Sequence, residues 1–359
     1  MPEIVKYVTP VAPRAATGVV GEVYSQSKHE VGRLVEAVTM FSADPELLAA
    51  TWAGFREPLL ATGAAPRVAK EAIAATVSQL NECPFCVDAH TIMLYGGGAA
   101  QFAGELLDSG GTQDVSGEYQ ALVRWARATS AAATATTSAP FTPEQTPEFM
   151  GVLVYFHFLN RVINVLLNGS FLPGSERAKR ISRRVAGKMM AKNVGAVNAA
   201  GASVGLRTAP AAPLPADLAW ASGSPAISAA LAWVAATLDR AADRAVPTGA
   251  RAVVEQAVRD WQGETMPLSA AWADVPGRDL PPAEQPAARL ALLAALAPHQ
   301  VTERDVVAYR IGHRDDTQLL GLLSWAAFTA ARRVGSWTAA AAGAAGPAPA
   351  ARTVRDPAA

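Results

Sequence analysis

Between its proline and glycine stops the chain repeats apolar residues at helical spacing, and nowhere does it sustain the two-residue alternation of a half-buried strand. That property confines it to an all-α fold. Asp44-Pro45 reads as an N-cap with proline at the first helical position, opening a helix through Leu48, Trp52, Phe55 and Leu59. Pro66 opens another, with an apolar face of Val68, Ala72, Ile73, Val77 and Leu80. Pro84 opens the next, which runs to Tyr95 and stops at Gly96-Gly97-Gly98. Shorter helices are expected over Phe102–Leu107 and Glu118–Arg127, a loop over Ser130–Thr142, and a long buried helix over Pro143–Leu167. The residues before about Val19 read as extended. The composition agrees: 50% of residues are hydrophobic and alanine is the commonest. Alanine gives up no side-chain entropy in a helix.

Several function classes are disfavoured at once. Lys plus Arg and Asp plus Glu both number 31, so no basic excess marks a dedicated nucleic-acid binder. The most apolar long segment, Gly151 to Gly169, is interrupted by His157, Asn160, Arg161 and Asn164. A membrane span of about 20 apolar residues would not carry four such groups. No basic flank precedes an apolar run near the N-terminus, so no secretory signal is read. The expectation is a cytoplasmic protein with neither nucleic acid nor membrane as partner.

Arg177 to Lys192 concentrates positive charge: Arg177, Lys179, Arg180, Arg183, Arg184, Lys188 and Lys192, with Ile181, Val185 and Met189 as an apolar stripe. The plain reading is an amphipathic helix with a solvated basic face. The sharper one is a docking surface for an acidic partner. Pro210, Pro213 and Pro215 then mark a linker. Phe156–Val162 (FHFLNRV) is echoed by Phe328–Val334 (FTAARRV), which reads as a tandem duplication. From about Thr338 the chain is Ala, Gly and Pro, and disorder is expected.

The two cysteines, Cys83 and Cys86, lie three positions apart. A bond between them closes too small a loop to add much stability, so the pairing points to catalysis or metal binding. With Pro84 as the first helical residue, Cys83 falls at the N-cap and Cys86 at the third position. Orphan amides and the positive end of the helix dipole converge there and favour a thiolate. His90, four residues after Cys86, shares its face and can take and return the thiol proton. Glu71, on the preceding helix, is placed to orient the imidazole. The N-cap favours Cys83 as the more acidic thiol, whereas proximity to the base favours Cys86. The second half of the chain has no cysteine.

Glu71, Cys83, Cys86 and His90 spell E-x11-C-x2-C-x3-H. In this the chain resembles the alkylhydroperoxidase D-like members of the carboxymuconolactone decarboxylase superfamily. ATGVVGEVYSQ, DPELLAATWAGFREPLL, VSQLNECPFCVDAHT and FHFLNRVINVLL carry the likeness further. The resemblance covers residues 10 to 170 well, and Val301 to Val334 looks like a divergent copy of the same unit. It implies an AhpD-like catalytic helical domain over 1–175. A basic helix and proline-rich linker over 176–215, a divergent second domain over 216–337 and a tail over 338–359 follow. It also implies a homo-oligomer, trimer-like, and a thiol peroxidase or disulfide reductase. The substrate would be a hydroperoxide and the reductant a dithiol, in characterised relatives a lipoyl-bearing protein, with no cofactor or metal. The chain departs from some active relatives at Phe85, where they carry a second histidine. Three rival readings stay open: a disulfide reductase that ignores peroxide, a zinc site built from the same four residues, and a scaffold without activity.

Overall fold

The structure, a computed structural model, describes residues 4–110, 115–136, 138–312 and 315–341. The helices follow in the order α1 (Gly18–Val31), α2 (Glu36–Thr39), α3 (Pro45–Leu59), α4 (Arg67–Leu80), α5 (Pro84–Gly96), α6 (Ala100–Asp108) and α7 (Gln120–Ala128). Then come α8 (Thr146–Leu166), α9 (Glu176–Val194), α10 (Pro225–Ala245), α11 (Thr248–Asp260), α12 (Gln285–Leu296), α13 (Glu303–Arg310) and α14 (Asp316–Ala341). Among the described residues the extended pairing is a single antiparallel bridge, Val5 to Leu167. The all-α class expected from the patterning is the class that forms.

Local chemistry sets the helix starts. The Asp44 carboxylate accepts from the Glu46 and Leu47 amides at 3.1 and 3.0 Å, with Pro45 as the first residue of α3. α8 is the central element, packed by α3, α4 and α14, while α10 and α12 pack on α14. It is long and apolar enough to cross a bilayer, but 94% of its most apolar window is buried inside the protein. Phe158 of α8 meets Phe328 of α14 edge to face, with ring centroids 5.6 Å apart. Truncating either ring would remove about 3–5 kcal/mol. α3 approaches α8 closely because residue 54 is glycine: a Cβ there would sit 2.5 Å from the Tyr155 ring.

The polar residues that interrupt α8 have partners at the end of α4. Asn81 Nδ2 donates to Asn160 Oδ1 at 3.1 Å, and Asn164 Nδ2 donates to the Asn81 carbonyl at 2.8 Å. Asn160 Nδ2 donates to Ser78 Oγ at 3.2 Å, and Arg161 Nε reaches across to the Ala295 carbonyl at 2.8 Å. These contacts clamp the turn between α4 and α5 and tie it to the second half of the chain.

Two expectations need correction. The Ile181, Val185 and Met189 stripe does not pack inward: these side chains are 58%, 56% and 71% exposed. The buried positions of α9 are Arg183, Gly187 and Val194. Two interactions decide this. A Cβ on Gly187 would lie 2.5 Å from Tyr95 Cβ, so α9 sits tight on α5, and Arg183 turns inward to Asp88. The second correction concerns the tail. α14 carries on through Thr338 to Ala341, with Thr338 buried; positions 342–359 lie outside the described residues.

Candidate active site

α5 lies between α4 and α9, and its first turn carries both cysteines. Cys83 is the N-cap, Pro84 the first helical residue and Cys86 the third. The pair is closed as a disulfide, with Cα atoms 5.4 Å apart. The chain enters this turn through Glu82 in the left-handed region, φ 47°. Such a conformation is uncommon for a non-glycine residue and persists where surrounding contacts hold it. The clamp of Asn81 by Asn160 and Asn164 supplies them.

His90 Nδ1 and Glu71 Oε2 are 2.6 Å apart across the α4–α5 interface. The other carboxylate oxygen of Glu71 accepts from Arg67, at 2.8 Å from Nε and 2.7 Å from Nη2. Glu71 is fully buried. Burial by itself pushes its carboxyl up, but the Arg67 charge and the His90 partner outweigh this and hold it below its ordinary value. The imidazole stands edge-on to Phe156 at 4.5 Å between centroids. With Nδ1 committed to Glu71, Nε2 is the nitrogen left to exchange a proton.

A cavity of about 470 Å³ opens onto this constellation. Cys86, His90, Glu71 and Arg67 line it, and Cys83 does not. The rest of the wall is mostly apolar, including Phe55, Leu59, Leu159 and Ile163. Phe85 contributes to that wall and packs on Phe171 with centroids 4.9 Å apart. A ring with no proton to give thus stands between the two cysteines, at the cavity wall. Among the described residues no group of three or more His, Cys, Asp or Glu side chains is placed to hold a metal ion.

The structure brings all four sequence-derived residues to one place and adds others. Arg67 was legible as an i, i+4 partner of Glu71. Asp88 and Arg183 were not. Their buried pair, with Nε to Oδ1 at 2.9 Å, fixes the back of α5 against α9, and Ser170 donates to the same carboxylate. Nothing in sequence spacing joins positions so far apart.

A family model described as the carboxymuconolactone decarboxylase family matches residues 46–142. A protein of Mycobacterium tuberculosis named alkyl hydroperoxide reductase is 45% identical over 341 residues, spanning 95% of this chain and 96% of its own length. Near-complete coverage of both chains at that identity extends the likeness well past the motif: this chain belongs to the carboxymuconolactone decarboxylase family, as one of its alkylhydroperoxidase D-like members.

Proposed function

We propose that the protein is a thiol peroxidase that reduces organic hydroperoxides through a Cys83–Cys86 dithiol–disulfide cycle. The observation that carries this reading is the placement of Cys86 and His90 on one wall of an apolar cavity, with the imidazole held by a buried carboxylate. The name of the Mycobacterium tuberculosis relative points the same way.

In the reduced protein His90 takes the proton of Cys86, and the Glu71 carboxylate stabilises the imidazolium. The thiolate attacks the terminal peroxide oxygen. An S–O bond forms, the O–O bond breaks, and the alcohol leaves with the proton from His90. Cys86 is now a sulfenic acid. Cys83 sulfur attacks Cys86 sulfur, and water departs as the disulfide closes. An external dithiol then reduces the pair, becoming a disulfide itself. The cavity exposes Cys86 and not Cys83, so attack falls on Cys86 and Cys83 is expelled as a thiolate. The N-cap favours that leaving group. The cycle needs no metal or organic cofactor.

Stopped-flow mixing of the reduced protein with cumene hydroperoxide, with disulfide formation read by mass, tests the proposal. One disulfide should form per peroxide consumed. If disulfide substrates oxidise the dithiol while peroxides leave it reduced, the protein is a disulfide reductase instead. In the Cys83→Ser variant a sulfenic acid should be trapped at Cys86; trapping only in Cys86→Ser would exchange the two roles.

A further inference from the structure

The exposed face of α9 remains without a role. Ile181, Val185 and Met189 lie four residues apart and form one outward line, each more than half exposed. At 100° per residue, Lys188, Arg184 and Arg177 fall along one flank of that line, with Lys192 near its centre. All four are exposed. On the other flank Ala186 and Met190 line the cavity that holds Cys86, and Met189 joins the stripe to its rim. An aliphatic stripe therefore runs between a basic flank and the mouth of an apolar cavity.

We infer that α9 is an interfacial helix that seats the protein on an anionic lipid surface, with the cavity mouth at the acyl boundary. Helices with this division, aliphatic on one side and lysine- and arginine-rich beside it, lie in the plane of a membrane and draw on both apolar burial and charge. The chain as a whole carries no net charge, so the positive excess is local to this face. The composition separates a lipid surface from a protein one. Protein interfaces are depleted in lysine, whereas this face carries Lys188 and Lys192 beside its aliphatic stripe. The sequence argument against a membrane concerned spanning segments; a helix lying on a surface escapes it. The inference rests on the proposed peroxidase only for its purpose: a lipid hydroperoxide would pass from the bilayer along Met189 to Cys86.

Co-sedimentation with vesicles tests it, using phosphatidylcholine alone and phosphatidylcholine mixed with phosphatidylglycerol. The full chain should bind the mixed vesicles, be released by salt, and ignore the neutral ones. Val185→Glu, and separately Lys188→Glu with Lys192→Glu, should each lower partitioning about tenfold or more. Neither touches the cavity wall, so turnover of a water-soluble hydroperoxide should stay at the wild-type level. Cys86→Ser should bind as wild type does, which keeps this result separate from any failure of the peroxidase reading. Absence of binding to the mixed vesicles overturns the inference, as does equal binding to both kinds or wild-type binding by the charge-reversed protein. If Val185→Glu instead lowers the solution mass while vesicles capture nothing, the stripe is a contact between copies of this chain.

Discussion

The first turns of α5 and α13 carry different chemistry at the N-cap, the third helical residue and one turn beyond. In α13 the N-cap is Thr302 and the third residue Asp305. The Thr302 amide and hydroxyl donate to the Asp305 carboxylate at 2.8 and 2.6 Å, a closed capping box. Arg289 of α12 donates to Asp305 at 2.8 Å, and Tyr309, four residues on, is buried with its hydroxyl on the Ala245 carbonyl. In α5 those positions are Cys83, Cys86 and His90, and the partner on the preceding helix is Glu71. Cys83 makes no side-chain cap bond. One helix start spends its orphan amides on its own stability. In the other the Cys83 amide donates to the Ser78 carbonyl at 2.9 Å and the first turn has no side-chain cap, at a cost of roughly 1 kcal/mol in lost capping. A local forfeit of this kind fits the proposed role of the α5 turn as a reactive site beside a structural one.

The comparison breaks most sharply at the thiol. Cys86→Ser should abolish multiple-turnover peroxide reduction, whereas Asp305→Ser at the matching position of α13 should leave turnover at the wild-type level. Steady-state assays with excess dithiol read both; residual turnover in Cys86→Ser would move the chemistry elsewhere. Next in size are the supporting groups. His90→Gln or Glu71→Gln should slow oxidation of the reduced protein about 10²–10⁴-fold, the range of a lost proton-transfer group. Arg289→Met should change stability and not rate. Equal slowing by Arg289→Met would mean that packing, not proton transfer, sets the rate.

The capping difference can be measured directly. Thr302→Ala should lower stability by about 0.5–2 kcal/mol in denaturant titrations. Cys83→Ser, which gives α5 a hydroxyl cap, should raise it by a similar amount over the reduced wild type. If Cys83→Ser is no more stable, the α5 amides are already satisfied in the dithiol form and no forfeit exists.

How much of this was legible in the sequence follows from the range of each interaction. Asp44-Pro45, Pro84 and the Glu71, Cys83, Cys86 and His90 spacing are local, and each stands where the sequence reading put it. The orientation of α9 was not legible, because periodicity finds a stripe without saying what it faces. Gly187 and Arg183 decide that, through Tyr95 and Asp88 on a helix about ninety residues earlier. The clamp on Asn81 was half legible. Asn160, Arg161 and Asn164 were recognised as too polar for a membrane span, but their partner at the start of the Cys83–Cys86 turn lies at the end of α4. The role of Phe85 as cavity wall emerged only with Phe171 beside it.

The smallest expected effect is one of pH, and it separates the two carboxylates that serve the two helix starts. Both are held below their ordinary values against the upward push of burial. Glu71 is held there by Arg67 and His90, and Asp305 by the Thr302 hydroxyl and amide and the Arg289 guanidinium. A depressed carboxyl lends stability that is complete above its unfolded-state value and is lost as pH falls through the folded one. For Asp305 the loss therefore starts below its ordinary 3.8, and for Glu71 below its ordinary 4.5. The stability gap between wild type and Asp305→Asn should hold constant from neutral pH down to mild acid and close only below that first value. The gap for Glu71→Gln should begin to close earlier on the same descent. Urea titrations across the acid range read both gaps. If the two close together, the carboxylates answer to a common acid unfolding rather than to their separate partners, and the contrast between the helix starts reduces to one of sulfur chemistry alone.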